Sequence, residues 1–164
     1  MIQKTLILIK PDGVARCLTG ECLQRFERVG LKLIGIKMVQ PTKELLDKHY
    51  FDLGERRGQK VKDRLVEYMI TGPVVAMVFE GVEAVEIVKK IVGATDPKIA
   101  LPGTIRGDFT HLTMAYADSI NQPLKNVIHA SGNLLEAEQE IKLWFKDNEL
   151  CDYKNVHEMF ISHK

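Results

Sequence analysis

The chain has 164 residues, 45% of them hydrophobic, and its 23 Lys and Arg set against 22 Asp and Glu leave a formal net charge of +1. That length fits one domain, and the hydrophobic share supports a core and excludes general disorder. Near-neutrality argues against a surface built as a whole for nucleic acid or anionic lipid.

The apolar runs, Val74–Phe79 among them, fall far short of the roughly 20 residues that a membrane helix needs. The opening MIQKTLILIK has neither the apolar core nor the small-residue cleavage site of a signal peptide. Three cysteines, Cys17, Cys22 and Cys151, are a sparse, odd set that fits a reduced, cytoplasmic compartment better than a disulfide scaffold.

In chain order, Thr5–Ile9 is a short apolar run rich in β-branched residues and reads as a buried strand. Pro11-Asp12-Gly13 reads as a turn. Thr19 or Gly20 then caps a helix whose stripe is Cys22, Leu23, Phe26 and Val29, with Gly30 ending it. Leu31–Val39 reads as a second strand. Lys43–Leu53 and Lys60–Ile70 read as two helices with Gly54 and Gly58 near their junction. Val74–Phe79 is a third strand. After Gly81 a helix carries Val82, Val85, Val88 and Val92, with Lys89 and Lys90 in its last turn, where the helix dipole favours cations.

Beyond Gly93 the pattern fails over GATDPKIALPGTIRGDF, with a helical turn possible at Leu112–Ala117. A short strand at Asn126–Ile128 precedes His129. Asn133 caps a last long helix, with Glu136 as the reciprocal half of a capping box and Leu134, Ala137, Ile141, Trp144 and Phe145 as its stripe. Two strand–helix–strand units suggest an α+β sandwich of the split ferredoxin-like type, with an open doubly wound sheet as the alternative.

The usual phosphate cradles, G-x-x-x-x-G-K-[ST] and G-x-G-x-x-G, are absent. Three segments carry chemistry instead. Lys89 to Arg106 holds Lys89, Lys90, Lys98 and Arg106 against Asp96 alone, with Thr95 and Thr104 as hydroxyl donors. That suits wrapping a polyanion, although a solvated loop fits as well. NVIHASG puts His129 at a strand end, before small residues and a helix start, where it can serve as nucleophile or base or simply pack. Glu140 borders the apolar stripe of the last helix and can reach back to the imidazole or to Ser131. Lys10 ends the first strand, and Tyr50 either tips its hydroxyl into a site or packs at a helix edge. His49, His111, His157 and His163 read as surface or packing residues.

TLILIKPDGVAR, LTGECLQRFERVGLKLIGIKM, EYMITGPVVAMVFEG, GATDPKIALPGTIRGDF, NVIHAS and EAEQEIKLWF, in that order and over nearly the whole chain, resemble the nucleoside diphosphate kinases. The resemblance implies a ferredoxin-like α+β sandwich with helices on a four-stranded antiparallel sheet. It implies ping-pong transfer of a γ-phosphoryl group between nucleoside tri- and diphosphates through a phosphohistidine, here His129. The phosphate goes to Nδ1, and the other ring nitrogen is expected on a backbone carbonyl. It implies that Lys10 contacts the phosphates and ribose with Tyr50 in support, that Thr95 and Arg106 bind phosphates, and that Asn126 binds the sugar. Ser131 and Glu140 then hold the histidine. Mg²⁺ arrives on the nucleotide phosphates, and the chain assembles as a hexamer or tetramer, with neither a membrane nor a nucleic acid as partner.

Three departures stand out. Lys89 replaces a family arginine and loses its fork. Counting back from Leu65 puts Val61 where a base-stacking Phe sits in the family. Residues 111–125, HLTMAYADSINQPLK, read as an insertion in a single domain of residues 1–164. The last two departures leave open a nucleotide-responsive binding protein that has lost turnover.

Overall fold

The structure, a computed structural model, describes residues 1–161; His163 lies outside the described residues. The fold is α+β and ferredoxin-like. Its four strands, β1 (Ile2–Ile9), β2 (Lys32–Val39), β3 (Val74–Val82) and β4 (Ile128–Ala130), lie in the order β2-β3-β1-β4. Every neighbouring pair is antiparallel, which excludes a doubly wound parallel sheet.

The continuous apolar runs of β1 and β3 reflect burial of both sheet faces. Leu6, Leu8, Val74, Ala76 and Val78 point to one face, where α3 (Lys43–His49), α5 (Gln59–Met69) and α9 (Leu134–Trp144) add Leu46, Val66, Met69, Ile141 and Trp144. Ile7, Ile9, Val75, Met77 and Phe79 point to the other, against α2 (Thr19–Glu27) and α6 (Ala84–Val92) through Cys22, Phe26, Ala84, Val88 and Val92.

Several boundaries differ from the expected ones for local reasons. Pro11-Asp12-Gly13 opens a short helix, α1 (Pro11–Ala15), because a proline at the first helical position is as well suited to a helix start as to a turn. Gly13 is required there by proximity: a Cβ would sit 2.8 Å from Ile9 Cγ2 and 2.8 Å from the Val127 carbonyl oxygen. Thr19 begins α2 and does not cap it, since Leu18 turns straight out of α1 on a bond from its amide to the Gly13 carbonyl. Val82 pairs with Ile2 as the last residue of β3, and Glu83, left-handed at φ 49°, starts α6 afresh.

The expected helix Lys43–Leu53 stops at His49. Leu53 begins a separate helix, α4 (Leu53–Arg57), that contains Gly54, and Gly58 at φ 93° redirects the chain into α5. The irregular region contains α7 (Ile105–Phe109) and α8 (Met114–Ser119), and a short α10 (Glu158–Ile161) follows the long helix. The strand expected at Asn126–Ile128 runs Ile128–Ala130, because Val127 takes a left-handed φ of 70° and breaks the ladder before it. Glu136 closes its box on the amide of Gly132, one residue before the cap. Leu134 is exposed, so the buried stripe of α9 is Ala137, Glu140, Ile141 and Trp144.

Candidate active site

The sheet order sets β1 beside β4 with Leu8 opposite His129, so the β1 C-terminus and the β4 segment meet at one end of the sheet. An open cleft of about 1,220 Å³ lies there, lined among others by Lys10, Tyr50, Thr95, Arg106, Asn126 and His129. Residues far apart in sequence, among them Lys89 and Glu140, share that lining. Glu86 pairs with Lys89 across one helical turn at 3.0 Å.

His129 Nε2 lies 2.9 Å from Glu140 Oε1, and Ser131 Oγ donates to Glu140 Oε2 at 2.6 Å. The second nitrogen of the histidine is therefore held by a carboxylate and not by the expected backbone carbonyl. The reason is helical: Glu140 falls on the buried stripe of α9, which packs directly against β1, the strand that pairs with β4. Burial pushes the Glu140 carboxyl up, but His129, His49 and Ser131 outweigh it and hold it below its ordinary value. An ionised Glu140 accepts a hydrogen bond, so the Nε2–H tautomer is favoured and Nδ1 keeps its lone pair.

Lys10 is buried, and its Nζ donates to Asn126 Oδ1 at 2.7 Å. Asn126 in turn donates to the Thr95 carbonyl at 2.8 Å. Burial first, then the nearby Arg106 charge, lowers the Lys10 ammonium to about 7, with Asp12 pulling the other way. Arg106 is fixed by bonds to the carbonyls of Gly93 (2.9 Å) and Ile128 (2.7 Å). Burial lowers its guanidinium to about 10.

Among the described residues, the Arg106 Nε and the Tyr50 hydroxyl are buried without a hydrogen-bond partner. Burial and the Glu140 charge push the Tyr50 hydroxyl's pKa up, so it stays a protonated donor. Two buried cations and a buried hydroxyl on one cleft form a receptor for a polyanion.

Some of the site was not foreseen. His49, expected as a surface or packing residue, is buried beside His129 with ring centroids 4.6 Å apart. Trp144 Nε1 donates to its Nδ1 at 3.2 Å, and burial, then the His129 charge, holds the imidazole down to about 3. Its partner lies 95 residues away, a pairing no local pattern announces. Arg56 and Arg57 of α4 also line the cleft. Their signal was a doubled arginine in an aperiodic polar stretch. Val61 does not line the cleft. It is half-buried in the first turn of α5, on the face of Leu65 but one turn further out, and Leu65 itself lines the wall. His111 and His157 are exposed, as expected.

The family model described as nucleoside diphosphate kinase matches residues 3–150. The chain belongs to the nucleoside diphosphate kinase family. It is 46% identical over 160 residues to the nucleoside diphosphate kinase of Borreliella burgdorferi, covering 96% of each chain. It is 45% identical to that of Pyrococcus furiosus over 163 residues, covering 99% of this chain and 95% of the relative. A solved transition-state mimic of the Borrelia burgdorferi nucleoside-diphosphate kinase, with bound vanadate and ADP, superposes with a TM-score of 0.96. That pair is 45% identical and covers 99% of this chain and 98% of the other.

Proposed function

We infer that this protein moves the γ-phosphoryl group of a nucleoside triphosphate, typically ATP, to a nucleoside diphosphate through a phosphohistidine at His129. The observation that carries the reading is the His129–Glu140–Ser131 chain at the floor of a cleft lined by the buried cations Lys10 and Arg106.

In the first half-reaction the Nδ1 lone pair forms the N–P bond while the P–O bond to the β-phosphate breaks and the diphosphate leaves with the electron pair. In the second, a terminal oxygen of another diphosphate attacks phosphorus and the N–P pair returns to Nδ1. The Nε2 proton stays on the ring throughout, bonded to Glu140, whose negative charge offsets positive charge building on the imidazole. Little covalent work remains beyond alignment and charge neutralisation.

We assign Lys10 to the transferring phosphates and ribose, supported by Tyr50. Arg106, Thr95 and Lys89 go to the phosphates and Asn126 to the sugar, with Ser131 and Glu140 holding the histidine. Arg56 and Arg57 add charge at the cleft wall. Among the described residues the one cluster with metal-ligand donors is His49, His129 and Glu140, and hydrogen bonds already engage all three. In the rest of the cleft lining the lysines and arginines outnumber Asp52 and Glu136, so the residues fit Mg²⁺ carried on the nucleotide phosphates, where it would supply further charge neutralisation.

We further propose a single kinase domain over residues 1–164 with 111–125 as an insertion, assembly as a hexamer or tetramer, and a cytoplasmic location. No described helix is long and apolar enough to cross a membrane, and Cys17, Cys22 and Cys151 are unbonded. Light scattering on the purified chain tests the assembly. Incubation with γ-labelled ATP and Mg²⁺ tests the chemistry. Acid-labile, base-stable label on His129 that a diphosphate discharges is expected, and its absence overturns the reading in favour of binding without turnover.

A further inference from the structure

The cleft has two unequal walls. One is the chain from Gly93 to Thr104, which contributes Ala94, Thr95, Ile99, Leu101 and Thr104. The other is α4 with α5, which contributes Leu53, Arg56, Arg57 and Leu65. Leu53 and Leu65 of this second wall pack part-buried against the core, but α4 buries no residue fully, and the buried residues of α5, Val66, Tyr68 and Met69, all lie in its C-terminal half. The outer part of the wall, from Arg56 to Arg64, is therefore positioned by polar contacts.

The residues that supply them lie in the 111–125 segment. At its N-terminal end the Met114 amide donates to Asp96 Oδ1 at 3.2 Å, beside Thr95 on the first wall. Arg57 of the second wall donates to Met114 Sδ at 2.8 Å. At the far end Arg64 of α5 reaches Asn121 Oδ1 (3.2 Å) and Asp118 Oδ1 (3.4 Å), while its own Nε returns to the Lys60 carbonyl at 3.3 Å. Between the two ends Ala117 is buried and seats α8 on the body of the protein. No residue of 111–125 lines the cleft. Among the described residues, a polar contact also ties the start of α5 to α3, from Lys62 to Asp47.

We propose that α8 is a cross-brace between the two walls, and that Arg64, Asp118 and Asn121 are positioning residues that set nucleotide affinity without touching the nucleotide. With the brace in place the wall is ordered before the nucleotide arrives. Without it, binding has to order the wall, and the cost falls on affinity and not on the transfer step at His129. The proposal rests on the nucleotide-transfer reading of the same cleft.

The test compares R64A, R64K, D118N and N121A with the unaltered full-length protein. ADP affinity is measured by calorimetry, and steady-state transfer is measured alongside it. R64A is expected to weaken ADP binding and raise KM by about five-fold, the equilibrium equivalent of a strong surface ion pair, with kcat within about two-fold. D118N and N121A give smaller shifts in the same direction, and R64K recovers part of the loss. R64A with D118N together is no worse than R64A alone, since the two share one interaction. Unchanged ADP affinity and KM in folded R64A and D118N overturn the brace, as does a fall in kcat with KM constant. Asp118 is largely exposed, so D118N carries the test by itself if R64A does not fold. Calorimetry reads the brace without turnover: an unaltered protein that binds ADP but transfers no phosphate refutes the transfer reading alone.

Discussion

The floor of the cleft and its α4–α5 wall are built by different physics. On the floor, Lys10, Asn126, Arg106, Ser131 and Glu140 are all buried, and each is fixed by a bond to a residue remote in sequence or to backbone. On the wall, Arg56 pairs with Asp52 and Arg64 with Asp118, through side chains that are partly or largely exposed. Buried, bonded groups are stiff and costly to disturb, whereas exposed ion pairs contribute little each and are screened by salt. The molecule thus builds the floor of the cleft from stiff, bonded groups and its α4–α5 wall from exposed ion pairs.

The strongest way to break this comparison is at the nucleophile. His129→Asn keeps a polar side chain of similar reach. It should cut phosphotransfer by at least about four orders of magnitude with circular dichroism unchanged; retained labelling would place the nucleophile elsewhere. Glu140→Gln comes next. It removes the charge that selects the Nε2–H tautomer, and a loss of about 10²- to 10⁴-fold in kcat is expected, with smaller changes in KM.

A third outcome concerns pH. Lys10 is lowered to about 7 in the folded chain from 10.5, so between those values the unfolded state binds more protons than the folded one. Stability of the nucleotide-free protein should therefore rise with pH across that window, while affinity for nucleotide falls as Lys10 loses its charge. Calorimetry at pH 8 in buffers of different ionisation enthalpy should show uptake of about one proton on ADP binding, and Lys10→Met should remove it. The smallest expected effect is at Val61. Because the side chain does not line the cleft, Val61→Ala should change KM by less than about two-fold for any base, whereas Leu65→Ala should raise it several-fold. A strong base-dependent effect at Val61 would mean that the wall closes further over the nucleotide than its present position.

What was legible in the sequence follows the same division. TLILI, VVAMVF and the α9 stripe are periodic because they are buried, and burial is what periodicity records. Their order placed Lys10 and His129 at strand ends and Glu140 beside the apolar stripe of the last helix, and the fold brings them to one place. The wall has no such pattern. α4 buries no residue fully, so neither its start at Leu53 nor the turn at Gly58 left a clear hydrophobic period, and the residue reached by counting back from Leu65, Val61, does not line the cleft. His49 does pack, as one of its two expected readings had it, but its place in the site was not legible: its partners, Trp144 and His129, come from two later elements that only the folded chain brings together. The Nε2 contact of His129 was expected on a backbone carbonyl, although Glu140 had been identified as able to reach the ring.

Gly13 has a consequence for how damage to this protein would be read. The carbonyl that leaves no room for a side chain there is that of Val127, and the same oxygen accepts the backbone amide of Lys10 at 2.8 Å. A methyl group at position 13 would press on the anchor of Lys10, the cation proposed to meet the phosphates. A survey of variants scored by turnover would thus file Gly13 with the chemistry, although it carries no functional group and need never meet a substrate.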